Sequence, residues 1–175
     1  MIESQMTTLM ECTFSRAEFA VRTGLLRNFL EWIFFTAHGA AATTELVERY
    51  ETEMHTTVRD AAFLRALPKT FWDGWTQENF YEQLEKLDDA MSQLPVLTPT
   101  VAVPFESVQV DAVGAWARRS VDPRLLVECN TDPALWAGCQ VVWRNHLHDY
   151  SFAERLSEKR SLLAARIVVA PNLVA

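Results

Sequence analysis

The sequence predicts an α+β protein: an all-helical bundle over residues 1–94, followed by a small mixed β-sheet domain with packed helices over 95–175. Three observations predict it. Up to Leu94 the apolar residues recur at helical spacing between capping and stop signals. After Pro95 the pattern becomes short alternating segments with one helix among them. Between the two parts, Pro95 and Pro99 bracket Val96-Leu97-Thr98 in the manner of a linker.

In chain order, residues 1–14 carry no strong signal and are expected to fray. Ser15 and Glu18 have the spacing of a capping box, in which the serine takes a free N–H and the glutamate reaches back. The helix behind them carries Phe19, Leu26, Phe29, Leu30, Ile33 and Phe34 on more than one face, which places it centrally in a bundle. His38-Gly39 has the composition of its end. A second helix is expected from about Ala41 to Leu67, with Leu46, Tyr50, Met54 and Val58 at i+4 spacing, and Pro68 stops it. Its glutamates 45, 48, 51 and 53 suit a solvated face. Thr70 to Leu94 forms one helix, or two broken near Gly74. Phe71, Trp72 and Trp75 crowd its start, either as core filler or as anchors for a partner helix. The first part thus holds three or four helices.

The second part begins with a strand at Thr100–Val103. A helix from about Glu106 to Ser120 follows, presenting Val110, Val113 and Ala117, with Trp116 beside them. Leu125, Val127 and Cys129 alternate with Leu126 and Glu128 as a strand. Asp132-Pro133 opens a turn. Cys139–Trp143 and His146–Asp149 are two strands around an Arg144-Asn145 hairpin turn, asparagine tolerating positive φ. Ser151 and Glu154 repeat the capping-box spacing before a helix with Phe152, Leu156, Leu163 and Ile167 on one stripe. Lys159 falls inside that stripe, its stem able to lie on apolar surface while the ammonium stays wet. An apolar tail, Val168–Ala175, ends the chain.

Composition limits the function. The 175 residues are 49% hydrophobic, enough for one sizeable core or two small ones, and the net charge is −7. No basic cluster is present to neutralise phosphates, so nucleic acid is a poor partner. Cys12, Cys129 and Cys139 form no CxxC and no even disulfide framework, as expected of small buried hydrophobes in a reducing compartment. No apolar run resembles a secretory signal or a membrane span, so any place at a membrane is expected to come through partner proteins.

The run from Thr131 to Leu163, TDPALWAGCQVVWRNHLHDYSFAERLSEKRSLL, carries the most specific signal. Asp132-Pro133-Ala134-Leu135-Trp136-Ala137-Gly138, a strand, a turn, a short strand, Asp149-Tyr150-Ser151 and a helix with Leu156 and Leu163 follow one another. This order resembles the C-terminal end of the F-type ATP synthase delta subunit family, called OSCP in mitochondria, and the likeness extends back to about Pro99. Ala137, Asn145 and Tyr150 stand where the family often has glycine or Gly-Asp. The resemblance implies a non-catalytic stator subunit on the peripheral stalk. A six-helix N-terminal domain would grip the N-terminal segments of the α subunit, and the C-terminal domain would hold the end of the b subunit. It implies no cofactor and no metal. The expected place is the head side of an energy-transducing membrane: the cytoplasmic face in a bacterium, the matrix or stroma in an organelle. Asp132, Pro133, Leu135, Gly138, Asp149 and Ser151 match the family as fold-setting residues, with no catalytic role.

Two other readings compete. His146, His148 and Asp149 are the one cluster resembling an acid–base or metal site: two histidines two apart on a strand share a face, which would suit a metal-dependent hydrolase. A third ligand and an HExxH spacing are missing, so exposed histidines on a hairpin are the plainer interpretation. A helical adaptor unrelated to ATP synthase is the other. No GxxxxGK[ST], GxGxxG or GxSxG motif points to nucleotide binding or a nucleophile elbow.

Overall fold

The computed structural model describes residues 2–37, 43–157 and 159–160. The chain is α+β and divides into two compact units, Met1–Leu94 and Pro95–Ala175.

Six α-helices build the first unit among the described residues: α1 (Ile2–Cys12), α2 (Arg16–Glu31), α3 (Thr44–Met54), α4 (Val58–Ala66), α5 (Lys69–Trp72) and α6 (Phe80–Ser92). That is more than the three or four helices expected, for three reasons. The residues expected to fray hold a helix: α1 buries Leu9 and Gln5 and leans Met6 on the core. The expected second helix is two, because His55 turns into the left-handed region at φ 51° and the Thr57 hydroxyl then caps α4 by accepting from the Asp60 N–H at 3.2 Å. The third segment is also two, separated by a stretch that holds Gly74 at φ 93°. Residues 38–42 lie outside the described residues, and with them the expected His38-Gly39 stop.

Ser15 caps α2 as expected, its Oγ accepting from the Glu18 N–H at 3.1 Å. The reciprocal arm of the box is replaced. The Glu18 carboxylate accepts instead from Arg22 at 2.7 Å and Arg59 at 2.8 Å, tying α2 to α4. Beyond Glu31 the helix widens into a π-helical turn, Trp32–Thr36, closed by the Ala37 N–H on the Trp32 carbonyl at 2.9 Å. The extra residue per turn lets Trp32, Ile33 and Phe34 all reach the core, and Phe35 faces outward, half exposed. The core is aromatic. Phe29 meets Tyr50 and Trp72 edge-on at 5.0 and 5.5 Å between ring centres, a favoured arrangement.

The second unit is a mixed sheet in the order β2-β1-β4-β5: β1 (Val96–Val101), β2 (Leu126–Val127), β4 (Cys139–Trp143) and β5 (His146–Asp149). A further strand, β3 (Asn130–Thr131), also pairs with β1. β1 runs parallel to β2 and β3 and antiparallel to β4. The expected linker at Pro95–Pro99 is therefore corrected: those residues are most of the central strand, with Leu97 6% and Val101 7% exposed. Proline normally avoids such a place. Here it explains the split of the neighbouring strand. The regular parallel ladder runs from Leu126 N to Pro95 O and from Glu128 N to Leu97 O, and resumes with Asp132 N to Val101 O. Between them the pattern calls for an N–H from residue 99, and proline has none. The expected strand at Leu125–Cys129 is accordingly shortened to β2, and β3 forms beyond it at Asn130–Thr131.

Helix α7 (Ser107–Ser120) crosses from β1 to β2. Its N-terminus carries a full capping box, Glu106 with Gln109. Gly114 and Ala117 face the sheet, where small side chains permit close approach. Leu97, Ala117, Leu125 and Val127 form the core of this unit. Residues 152–157 are helical as expected after Ser151, and Lys159 is exposed. Leu163, Ile167 and the tail 168–175 lie outside the described residues.

Candidate partner-docking surfaces

The residues of the Asp-Pro to Asp-x-Ser motif meet at one end of the sheet, and each has a backbone task. Asp132 Oδ1 accepts from the Ala134 N–H at 2.9 Å, capping a short 3-10 turn with Pro133 at its first position. Leu135 plugs the core at 4% exposure. The chain then reverses at Trp136, whose φ of 61° and ψ of −48° belong to the strained hand of the γ-turn, with the Ala137 N–H on the Leu135 carbonyl at 2.7 Å. Gly138 follows at φ 83°. A Cβ there would stand 2.4 Å from the Tyr150 carbonyl oxygen, so only glycine fits. The crowding arises because Tyr150 N–H donates to Cys139 O at 2.9 Å and Phe152 N–H to Ala137 O at 2.8 Å.

Asp149 completes the corner. Its Oδ1 accepts from the Ser151 N–H at 2.8 Å and its Oδ2 from Gln140 Nε2 at 2.6 Å. The Ser151 backbone N–H foremost, then the Ser151 side chain and Gln140, hold its carboxyl below the usual aspartate range. Ser151, 1% exposed, accepts from the Glu154 N–H at 3.2 Å and so starts the following helix. The two-residue hairpin turn has Arg144 at φ 49° and Asn145 at φ 63°, both positive as a type I′ turn requires. Tyr150 is not among the positive-φ residues, so a tyrosine there costs no backbone strain.

This geometry separates the histidines from the aspartate. His146 and His148 alternate with Leu147 and Asp149 along β5, so the Asp149 carboxylate lies on the opposite face, taken up by Ser151 and Gln140. His148 stacks on Tyr150, ring centres 6.4 Å apart and 8° from parallel. Among the described residues no three His, Cys, Asp or Glu side chains converge as metal ligands would.

The histidine face belongs to a larger feature. A groove of about 490 Å³ runs between α7 and the sheet. Leu97, Val101 and Val141 form its floor, Val113 and Trp116 one wall, and Trp143, His148 and Tyr150 the other. Cys139 lines it as a small apolar group, and Cys129 packs nearby, where burial pushes its thiol pKa up and keeps it protonated. Trp116 and Tyr150 are about half exposed, 53% and 54%. Large apolar side chains left open along a concave surface mark a place where another chain or ligand sits.

Phe71, Trp72 and Trp75, read either as core filler or as partner anchors, are 2%, 8% and 4% exposed, which favours the core. Trp75 spends its indole N–H on the Phe71 carbonyl at 2.7 Å, and Phe71 packs edge-on against Trp72. They close the helical core, Trp72 also lining a pocket with Val47 of α3 and Leu64 of α4. Sequence reasoning missed the groove aromatics instead. Trp116 was legible as an aromatic beside the α7 stripe, whereas Trp143 read as an ordinary strand position and Tyr150 as a motif position where glycine is common. No helix among the described residues is long and apolar enough to cross a membrane. Compared with models of protein families the chain matches none, and no curated protein matches it.

Proposed function

We propose that this chain is a non-catalytic stator subunit of an F-type ATP synthase, resembling the delta subunit, which links the catalytic head to the b-subunit stalk. The observation that carries the reading is the corner built by Asp132, Pro133, Leu135, Gly138, Asp149 and Ser151. All six resemblance residues perform local backbone or core tasks in one structure, which supports the reading. Two further features support it. The first unit has six α-helices among its described residues, the number the resemblance implies. The groove of the sheet unit is nearly all apolar and suits the apolar stripe of a helix such as the end of a b subunit. The helical unit would hold the N-terminal segments of α. Membrane association would come through these partners, on the head side of the membrane.

A stator resists torque through broad contacts and needs no active site. The test is co-purification of the tagged full chain from native membranes in mild detergent, with partners identified by mass. Recovery of the α, β and b subunits is the expected result. Recovery of the chain alone, or with unrelated proteins, removes the stator reading.

A further inference from the structure

The groove between α7 and the sheet is a slot, and its length follows from β1. Leu97, Pro99 and Val101 alternate along that strand and all line the floor, so the apolar floor extends about 13 Å at the rise of a strand. Val141 and Cys139 continue it sideways, paired with Pro99 and Val101. Trp116 of α7 stands on one side, and His148 and Tyr150 stand on the other. The volume of about 490 Å³ lies in the range of sites that enclose a small ligand. An extended hydrocarbon chain covers such a floor, whereas a compact ring would leave part of it wet.

Polar groups gather on the β5 side. The Tyr150 N–H donates to Cys139 O at 2.9 Å, and Cys139 pairs with Val101, so Tyr150 lies toward the Val101 end of the floor. His148 stacks on Tyr150, ring centres 6.4 Å apart and 8° from parallel. An imidazole N–H and a phenol O–H both donate hydrogen bonds, so this wall sets two donors side by side. Among the described residues no Asp, Glu, Lys or Arg lines the groove. Asp149, next along β5, faces the other side of the sheet and is held by Ser151 and Gln140. The aromatic faces that could attract a cation are already used: the Arg144 guanidinium lies 5.2 Å from the centre of the Trp143 ring, and His148 covers Tyr150. A cationic head would find no carboxylate in this groove, and an anionic head would find donors.

We propose that this groove binds a single-chain apolar carboxylate of the fatty-acid class, with its chain along Leu97, Pro99 and Val101 and its carboxylate accepting from His148 and Tyr150. The inference does not rest on the stator reading. A partner helix laid in the same groove and the acid would exclude one another.

The test is isothermal titration calorimetry of the full chain with decanoate, octanoate, decylamine and decanol, each kept below its micellar range. Decanoate is expected to bind saturably and at least about tenfold tighter than decylamine or decanol, as hydrogen bonds to a charged head require. It is expected to bind about fifteenfold tighter than octanoate, which lacks two of its CH₂ groups. His148→Phe and Tyr150→Phe keep the rings and remove the donors, so each weakens decanoate several-fold and leaves decanol unchanged. Trp116→Asp, checked for an unchanged circular dichroism melt, weakens both ligands. Phe35→Ser, in the helical unit, changes neither. No saturable binding, equal affinity for acid and amine, decanoate affinity unchanged in both ring variants, or full binding by folded Trp116→Asp overturns the inference. Because the ligands contain no ATP synthase sequence, the groove can pass while the stator reading fails in co-purification, and the reverse.

Discussion

At Trp136 and Gly138 two neighbouring residues occupy positive φ, and the chain has placed glycine at only one of them. Gly138 has no alternative, since a Cβ would strike the Tyr150 carbonyl oxygen. Trp136 has no such excuse: it holds a strained γ-turn and is 71% exposed. Strain of this kind costs on the order of 1–3 kcal/mol, more than the entropy a glycine would add to the unfolded chain. Trp136→Gly is therefore expected to stabilise the protein by about 1 kcal/mol in urea unfolding. Gly138→Ala is expected to destabilise it by about 2 kcal/mol or more. A tryptophan retained at the strained position without stabilising the fold points outward to a contact. The requirement at Gly138 was legible as a glycine in a motif. The strain at Trp136 was not, because nothing in a sequence marks which residue before a glycine carries a turn's awkward dihedral.

At the scale of elements, Pro99 shows where a sound local rule meets a stronger tertiary demand. Two prolines bracketing three residues suggest a linker, yet burial of Leu97 and Val101 pulls the segment into the sheet centre, and the missing N–H is absorbed by breaking the neighbouring strand. Pro99→Thr is expected to join β2 and β3 across Glu128-Cys129 and to add about 1 kcal/mol of stability, with new amide protection at residue 99 in hydrogen exchange. Helices were less legible in number than in kind. The i+4 spacing continues through His55 as though α3 and α4 were one, and the Thr57 cap that separates them looks like any surface threonine. The Asp149 corner makes a pH prediction. Its folded pKa is depressed, so its contribution to stability is complete above the ordinary aspartate value of about 4 and is lost as pH falls through the lower folded value. Asp149→Asn should lower stability at neutral pH, and the gap to the parent protein should close in strongly acid solution, as thermal melts across pH would record.

For the whole molecule, charge and apolar surface are divided between the two units. One unit is acidic, with a groove at a π-helical turn; the other is neutral, with an apolar groove against a sheet. The α+β class and the corner motif were legible in the sequence, because periodicity, capping and turn residues act locally. The grooves were not, because an exposed Trp116 and a buried Trp75 are written with the same letter, and only packing separates them. Under the stator reading, losing either grip uncouples the machine without stopping its chemistry, since hydrolysis resides in the head. The most direct test is therefore proton-driven ATP synthesis in native membrane vesicles depleted of this chain, with the purified chain added back. The expected result is that depletion abolishes synthesis, that the parent protein restores it, and that Trp116→Asp, which puts a charge in the sheet groove, restores little of it while remaining folded. Undiminished synthesis after depletion would contradict the account.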